Sequence, residues 1–531
     1  MFRLNGRWFW LIVLVVYAAA GLLLYSNVIT NGVFLFDDFE YIVGNPLIHD
    51  LSFFSNITDP RHIGYLSFAL NYALDGEDPY GYHLLNVIIH IVNAFQVFLL
   101  TGLLLKLLHF EDERAHLRQL AAFFSGLLFL VHPVETQAVS YITQRFTSLT
   151  SLFYLGSILS YLAVRARIEE GKLATREYLI YALGVLSCVL AMKTKEIAFT
   201  APFMIAFLEY LLFPGSGHPS RRFVFLVPFL ASLIIIPLAL FGPEWGIIAQ
   251  GSGIDEVTRG DKLYDLYQRS SFDYLINQFG VILTYMRLLV LPIHQLAVYD
   301  LKAAYSLFEL KVLAPLAFLL CVAGSAVYSW RKAGSASPSD APVYRLFSVG
   351  VLWFFVTLSV ESSVIPIKDM IFEHRVYLPS VGFFAIVPAV FFWAGERFLG
   401  RGYRPARVVA VMAVIVIILS GLTYRRNFVW VSEVALWDDV VQKTGKAIGY
   451  NNRGNAYMKE GKLDLALRDL DKTISFFPNA KDKMAWENSD FTPTNMSKTY
   501  MSRGNVYEML GDSKRAQADF DMARQVMMGQ Q

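Results

Sequence analysis

The chain has 531 residues, 55% of them hydrophobic and 17% charged, with a mean hydropathy of +0.43, a balance that excludes an ordinary water-soluble domain and fits a protein living in a bilayer. A formal net charge of +2 excludes the basic bias of a nucleic-acid binder, so the placement of charges along the chain carries the information. Cys188 and Cys321 both fall in apolar segments and leave the redox compartment open.

Met1 to Tyr25 opens with Arg3 and Arg7, runs apolar from Trp8 and contains Ala18-Ala19-Ala20, features shared with cleaved signal peptides. The apolar run continues past the alanines to the length of a span, so an uncleaved first helix is expected. The connection 27–81 then holds Asp37, Asp38, Glu40, Asp50, Asp59, Asp75, Glu77 and Asp78 against a single cation of the Lys or Arg type, Arg61. Runs long enough to cross a bilayer follow near 82–105, 119–133, 137–164, 178–192, 197–213, 223–241, 309–330, 346–365, 376–396 and 406–424. With the first helix these make about 11 spans.

Basic residues fall on alternate connections: Arg3/Arg7, Lys106/Arg114/Arg118, Arg165/Arg167/Lys172/Arg176, Arg221/Arg222, Arg331/Lys332/Arg345 and Arg397/Arg401/Arg404/Arg407. Those connections are expected in the cytoplasm, which puts the acidic 27–81 loop on the opposite, outer face. The segment "FDYLINQFGVILTYMRLLVLP" (272–292) is apolar, yet a crossing there would place the last two basic clusters outside. A re-entrant or interfacial helix is therefore expected at that point.

Polar groups inside spans face protein or water. In "YHLLNVIIHIVNAF", His83, Asn86, His90 and Asn93 share one helical stripe, with the deeper His90 and Asn93 expected to knit helices and His83, nearest the outer surface, open to a site role. "HPVETQAVSYITQR" (132–145) makes the next outer turn, with Glu135 near the surface and Arg145 two to three turns along the following helix, where it needs a carboxylate or an anionic ligand. "KTKE" (193–196) places Lys193, Lys195 and Glu196 at the outer side, and "FEHRVYLPSVGF" (372–383) adds Glu373, His374, Arg375 and Tyr377. Ordinary flanking charges would be spread over both faces; here the acids and bases gather on one.

From about Val431 the chain turns polar, and "NRGNAYMKEGKLDLALRDLDKTISFFP" (452–478) aligns with "SRGNVYEMLGDSKRAQADFDMA" (502–523) on Gly454/Gly504, Tyr457/Tyr507, Gly461/Gly511, Ala466/Ala516 and Leu470/Phe520. The spacing resembles tetratricopeptide repeats, with an insertion around "DKMAWENSDFTPTNM" between the units and a leading half unit at 434–445. The charge rule puts this tail on the outer side. The fold class expected is thus an all-α, polytopic membrane domain over 1–430, carrying the acidic loop 27–81, followed by a small repeat domain over 431–531.

Together, "FDD", "YHLLNVIIH", "HPVETQAVSYITQR", "KTKE", "EHRVYLPSVGF" and the repeat tail resemble the transmembrane and tetratricopeptide repeat family and its bacterial relatives, among the GT-C glycosyltransferases. That resemblance implies a multi-helix enzyme moving a sugar from a polyprenyl-phosphate donor to a Ser or Thr hydroxyl of an acceptor protein or peptide, with inversion. It implies a catalytic acid at Asp37 beside Asp38, contacts to the donor phosphate from Lys195, Arg375 and Arg145, and a bacterial inner membrane with the site and tail facing the periplasm. His83, Glu135, Glu196, Glu373 and Tyr377 would support the site.

The chemistry suits these residue types: a carboxylate takes the proton of a weakly nucleophilic hydroxyl, and fixed cations meet the charge of a leaving phosphate. Asp37, Asp38 and Glu135 could also supply hard oxygen ligands to a divalent ion, although the nearby cations make a metal-free site the expectation. Two other readings stay open, a glycolipid or cell-surface polymer as acceptor, and a non-catalytic scaffold or transporter.

Overall fold

The computed structural model describes residues 7–55, 61–110, 115–172, 174–214, 219–241, 270–299, 303–367, 369–400, 403–477 and 493–528. Arg3, Asp59, Arg114 and Arg401 of the charge pattern, and most of the expected repeat insertion (478–492), lie outside the described residues. The chain divides into two compact units, one of residues 1–295 and 299–427 and the other chiefly of 428–531.

Apolar runs in hydrocarbon must bond every backbone N–H and C=O within themselves, and the helix does that. In the first unit they form α1 (Arg7–Leu24), α2 (Ser26–Asn31), α3 (His62–Asp75), α4 (Pro79–Leu107), α5 (Ala115–Val131), α6 (Thr136–Ser140), α7 (Arg145–Glu169), α8 (Thr175–Met192) and α9 (Ala201–Leu212). Then come α10 (Pro219–Ala231), α11 (Ile235–Phe241), α12 (Ser271–Val290), α13 (Leu310–Ala333), α14 (Ala341–Leu358), α15 (Ser380–Leu399) and α16 (Pro405–Asn427). Seven helices among the described residues are long and apolar enough to cross a membrane, and α5 with the 133–140 turn, bent by 49°, makes an eighth if counted as one broken span. The shorter apolar helices Trp8–Leu24 and Phe223–Leu238, together with α9, occupy the remaining expected positions.

Small residues let these helices approach closely, as packing without a hydrophobic drive requires. A Cβ on Gly350 of α14 would meet the Gly382 carbonyl of α15 at 2.6 Å, and one on Gly126 of α5 would meet the Ala94 carbonyl of α4 at 2.5 Å. Polar side chains tie the outer ends: Asn27 Nδ2 donates to the Tyr424 carbonyl (3.1 Å), Asn427 Nδ2 to that of Leu24 (3.1 Å) and Ser140 Oγ to Asn427 Oδ1 (2.9 Å).

Two spans differ from the expected bounds. The segment 132–144 is a buried outer turn of short helical pieces, in which Pro133 starts a 3-10 turn capped by the His132 ring. The span expected from 137 therefore begins at Ile142, and Arg145 is the first residue of α7 rather than two to three turns inside it. Likewise the span expected over 346–365 stops at Leu358, and the outer loop that follows carries Glu361.

The segment 272–292 forms α12, which lies along the outer face. Its 20 residues would reach about 30 Å, enough to cross. Yet near its start Tyr274 Oη donates to the Glu361 carbonyl (2.8 Å), in its second turn Asn277 Nδ2 donates to the Ala304 carbonyl (2.9 Å), and at its end the Leu289 carbonyl meets His132 Nε2 (3.1 Å). All three partners belong to outer connections, so the helix runs in the plane of the interface, with Phe272, Val290 and Leu291 exposed.

The second unit contains α17 (Glu433–Thr444), α18 (Ala447–Lys459), α19 (Leu463–Ile474), α20 (Pro493–Met509) and α21 (Ser513–Met528). A Cβ on Gly454 would meet Leu470 Cγ at 3.0 Å and one on Gly504 would meet Phe520 Cε1 at 2.6 Å, so the aligned small residues permit close helix pairs. The same ion-pair motif recurs 50 positions apart: Arg453 is bidentate to Asp469 (2.7 and 2.9 Å) and Arg503 to Asp519 (2.8 and 2.7 Å). Each arginine also reaches back to the preceding helix, Arg453 to Asp438 (2.7 Å) and Arg503 to Asp471 (2.6 Å).

The in-plane course of α12 is open to chemical labelling. In the full chain carrying S271C or L291C, both new thiols are expected to react with a membrane-impermeant maleimide from the side opposite the basic loops. Reaction of only one of them from that side would mean that α12 crosses.

Candidate active site

After α2 the chain turns at Phe36, whose φ of +50° is left-handed, a conformation that costs a bulky residue roughly 1–3 kcal/mol and persists only where its surroundings fix it. The fixing groups are close by. The buried Asp38 carboxylate accepts the Leu35 N–H on Oδ2 (2.8 Å) and the Thr143 N–H on Oδ1 (2.8 Å), joining the first outer loop to the turn before α7. The Asp37 N–H donates to the Tyr141 hydroxyl (3.0 Å), and the Phe36 and Tyr141 rings meet edge to face. Burial pushes the Asp38 carboxyl up to about 7, the two N–H bonds opposing it and the neighbouring Asp37 charge adding to it. Asp37 itself is exposed, and its side chain makes no hydrogen bond among the described residues.

Basic groups line the same face. Lys195, at the head of the 3-10 turn Glu196–Thr200, is buried and donates from Nζ to Glu361 Oε1 (2.8 Å) and Thr147 Oγ1 (3.0 Å). Burial lowers the Lys195 ammonium, with the Glu361 charge acting against that fall. Next to it Glu196 accepts a bidentate pair from Arg61, 2.9 Å on each arm, and that charge holds the Arg61 guanidinium above its usual range. Arg375 is buried, donates to the main-chain carbonyls of Asp369 (2.8 Å) and Met370 (3.2 Å), and lies within electrostatic reach of Glu361. The adjacent His374 is kept neutral by burial, with Lys195 and Arg375 pressing the same way.

Tyr41 links the acids to these bases, because it feels the charges of Asp37, Arg61 and Glu196 together. Its ring sits 6.4 Å from Phe146, over which the Arg61 guanidinium also lies at 5.5 Å. Asp37, Arg61, Glu196, Lys195, Glu361 and Arg375 thus form one run of charged groups over the outer ends of α3, α7 and α14.

Other residues singled out from the sequence are placed elsewhere. Arg145 meets neither the carboxylate nor the anion expected of it: Nε donates to Asn86 Oδ1 (2.6 Å), Nη1 to the Ser67 carbonyl (3.1 Å) and Nη2 to the Tyr82 carbonyl (3.0 Å), over the Phe68 ring at 4.6 Å. Fully buried at the start of α7, it bonds neutral oxygens and an aromatic face, with the Asp38 carboxylate within electrostatic reach but not bonded to it. His90 and Asn93 knit helices as expected, both reaching the Tyr377 hydroxyl (2.8 and 3.0 Å), which makes Tyr377 part of the core network. His83 is buried beneath Gly32, where a Cβ would collide with its ring. Glu373 accepts from Gln295 Nε2 (2.7 Å) and the Tyr299 hydroxyl (2.6 Å).

Glu135 is fully buried within electrostatic reach of Tyr25 and Tyr377, on the core side of its turn. Among the described residues no three His, Cys, Asp or Glu side chains are grouped to hold a metal ion. The ligand set Asp37, Asp38 and Glu135 is therefore not brought together.

Sequence reasoning missed Glu361, Tyr41, Tyr141 and Thr147. Glu361 reads as a lone acid past an apolar run, and its weight comes from Lys195, 166 positions away. The one available signal was that buried Lys195 needed a counter-charge on the same face.

No family model matches the chain. It is 25% identical over 445 residues to a protein O-mannosyl-transferase of Caenorhabditis elegans, covering 79% of this chain and 56% of that protein. It is 24% identical over 529 residues to protein O-mannosyl-transferase TMTC3 of Homo sapiens, covering 93% of this chain and 53% of that one. Among solved structures, the Archaeoglobus fulgidus oligosaccharyltransferase tethered to an acceptor peptide aligns over 92% of this chain and 61% of that chain, at 14% identity and a TM-score of 0.41. The chain spans about half the length of the curated relatives it matches. By sequence it is similar over most of its own length to proteins named protein O-mannosyl-transferases, and its long apolar helices are those of a multi-pass membrane protein.

Proposed function

We propose that this chain is a membrane glycosyltransferase of GT-C architecture that transfers a sugar from a polyprenyl-phosphate donor to Ser or Thr hydroxyls of extracytoplasmic proteins. The observation that carries the reading is the exposed, unbonded Asp37 carboxylate on a clamped turn, sharing the outer face with the buried cations Lys195 and Arg375. The names of the relatives favour a mannosyl group and a protein acceptor.

In this mechanism Asp37 accepts the acceptor's hydroxyl proton as the oxygen attacks the anomeric carbon, and the sugar–phosphate bond breaks with inversion. Lys195 and Arg375 meet the charge that grows on the leaving phosphate, Lys195 as a point charge and Arg375 through its guanidinium fork. The lipid tail holds that phosphate at the membrane surface, so the base has to stand at the level of the helix ends. Asp38 keeps it there by bonding Leu35 and Thr143. Arg145 is an anchor of the α3, α4 and α7 ends, outside the phosphate contacts.

Asp37→Asn keeps the turn and removes the base, so transfer is expected to fall ~10²–10⁴-fold. Expression of the variant in its host, followed by intact masses of extracytoplasmic proteins, reads this directly; sugar adducts that persist unchanged would remove Asp37 from the role.

Asp38 gives a different readout. Its carboxyl is raised from 3.8 to about 7 in the fold, so its contribution to stability is complete below its unfolded value and is lost as pH rises through about 7. Thermal unfolding of the native chain and of D38N at pH values from about 4 to about 8 is expected to show their difference moving against the native chain as pH rises. A difference that stays constant would mean that Asp38 titrates alike in both states.

A further inference from the structure

Glu361 has no part in the transfer step as drawn. It stands in the outer loop after α14, buried, with Oε1 on Lys195 Nζ at 2.8 Å, and its charge reaches Arg375. Lys195 completes its contacts with the Thr147 hydroxyl, and Arg375 completes its own with two main-chain carbonyls. One carboxylate is therefore bonded to Lys195 and lies within electrostatic reach of Arg375, the two cations assigned to the donor phosphate.

A carboxylate and a phosphate group offer the same thing at this point, two or more anionic oxygens that accept N–H bonds. Both anions cannot occupy one buried pair of cations, because like charges a few ångströms apart in a desolvated site repel strongly. The loop holding Glu361 has few regular backbone bonds, its Glu361 and Ser362 N–H groups both sharing the Leu358 carbonyl. Residues 359–365 run through turns and bends rather than helix, and the Glu361 main chain is held by a hydrogen bond from the Tyr274 hydroxyl of the in-plane helix α12 (2.8 Å).

We propose that Glu361 is a resident stand-in for the donor phosphate: it occupies the Lys195 contact in the empty enzyme and is displaced when a polyprenyl phosphate binds. The inference rests on the proposed donor class. It also predicts a sign. A carboxylate that merely positions Lys195 would weaken binding when neutralised, whereas a competitor would strengthen it.

The test uses the full chain in lipid nanodiscs with farnesyl phosphate as probe and farnesol as control, measured against native protein and Glu361→Gln. The glutamine keeps the shape and removes the charge, and E361Q is expected to bind farnesyl phosphate about tenfold more tightly. Equal or weaker binding by a folded E361Q overturns the inference and leaves the donor class standing. No preference for farnesyl phosphate over farnesol in the native chain would instead remove the donor class, and the inference with it. Should E361Q not accumulate as folded protein, Tyr274→Phe removes one bond that holds the same loop without unpairing Lys195. Y274F is then expected to bind the probe several-fold more tightly, and unchanged affinity overturns the inference.

Discussion

Two backbone N–H groups from distant parts of the chain, those of Leu35 and Thr143, converge on the two oxygens of the buried Asp38 carboxylate. Each belongs to an outer segment with no regular ladder to bond it, and a buried donor left unbonded would cost roughly 1–3 kcal/mol. Asp38 satisfies both at once. In doing so it ties the acidic loop to the turn before α7, forces the left-handed turn at Phe36 and leaves the next-door Asp37 carboxylate facing out. One of the paired acids is therefore structural and the other is available for chemistry, although the sequence writes them with the same letter.

The bilayer explains why such groups crowd the helix ends. Inside the spans polar side chains find each other and the carbonyls of neighbouring helices, as His90 and Asn93 do with Tyr377, Leu130 and Ser148. At the outer ends the helices stop, short 3-10 pieces expose carbonyls and hydroxyls, and ion pairs such as Arg61 with Glu196 form half in and half out of water. A cavity of about 320 Å³ lies at the opposite ends of α4, α7 and α9, lined by Lys106, His109, Glu169 and Glu170 among others. Its neighbours are the basic connections, so it is remote from the charged run that includes Asp37.

Much of this is legible in the sequence. Apolar length located the helices, and the alternation of basic loops placed the acids on one face and made a crossing at 272–292 untenable; the bonds from Tyr274, Asn277 and His132 show α12 lying along that face. Local patterns also gave Lys195 and Glu196 at the outer end of α8. What remained hidden depended on where the chain breaks its helices or on partners far away. The depth of Arg145 was misread because His132 and Pro133 start a chain of short turns that consumes the residues assigned to a span. Glu135 was read at the surface because hydropathy does not say which way a turn folds, and it points inward. Glu361 could not be singled out, since nothing within its own loop distinguishes it from a flanking acid.

In the polar unit, Arg453 and Arg503 each hold their own helix partner and the helix before it. For Arg503 the earlier partner, Asp471, lies on the far side of the segment 478–492. The register between successive helix pairs is thus set by a guanidinium and two aspartates. A related chain that keeps these three groups keeps the stacking of its helices, whatever the number of residues between the pairs.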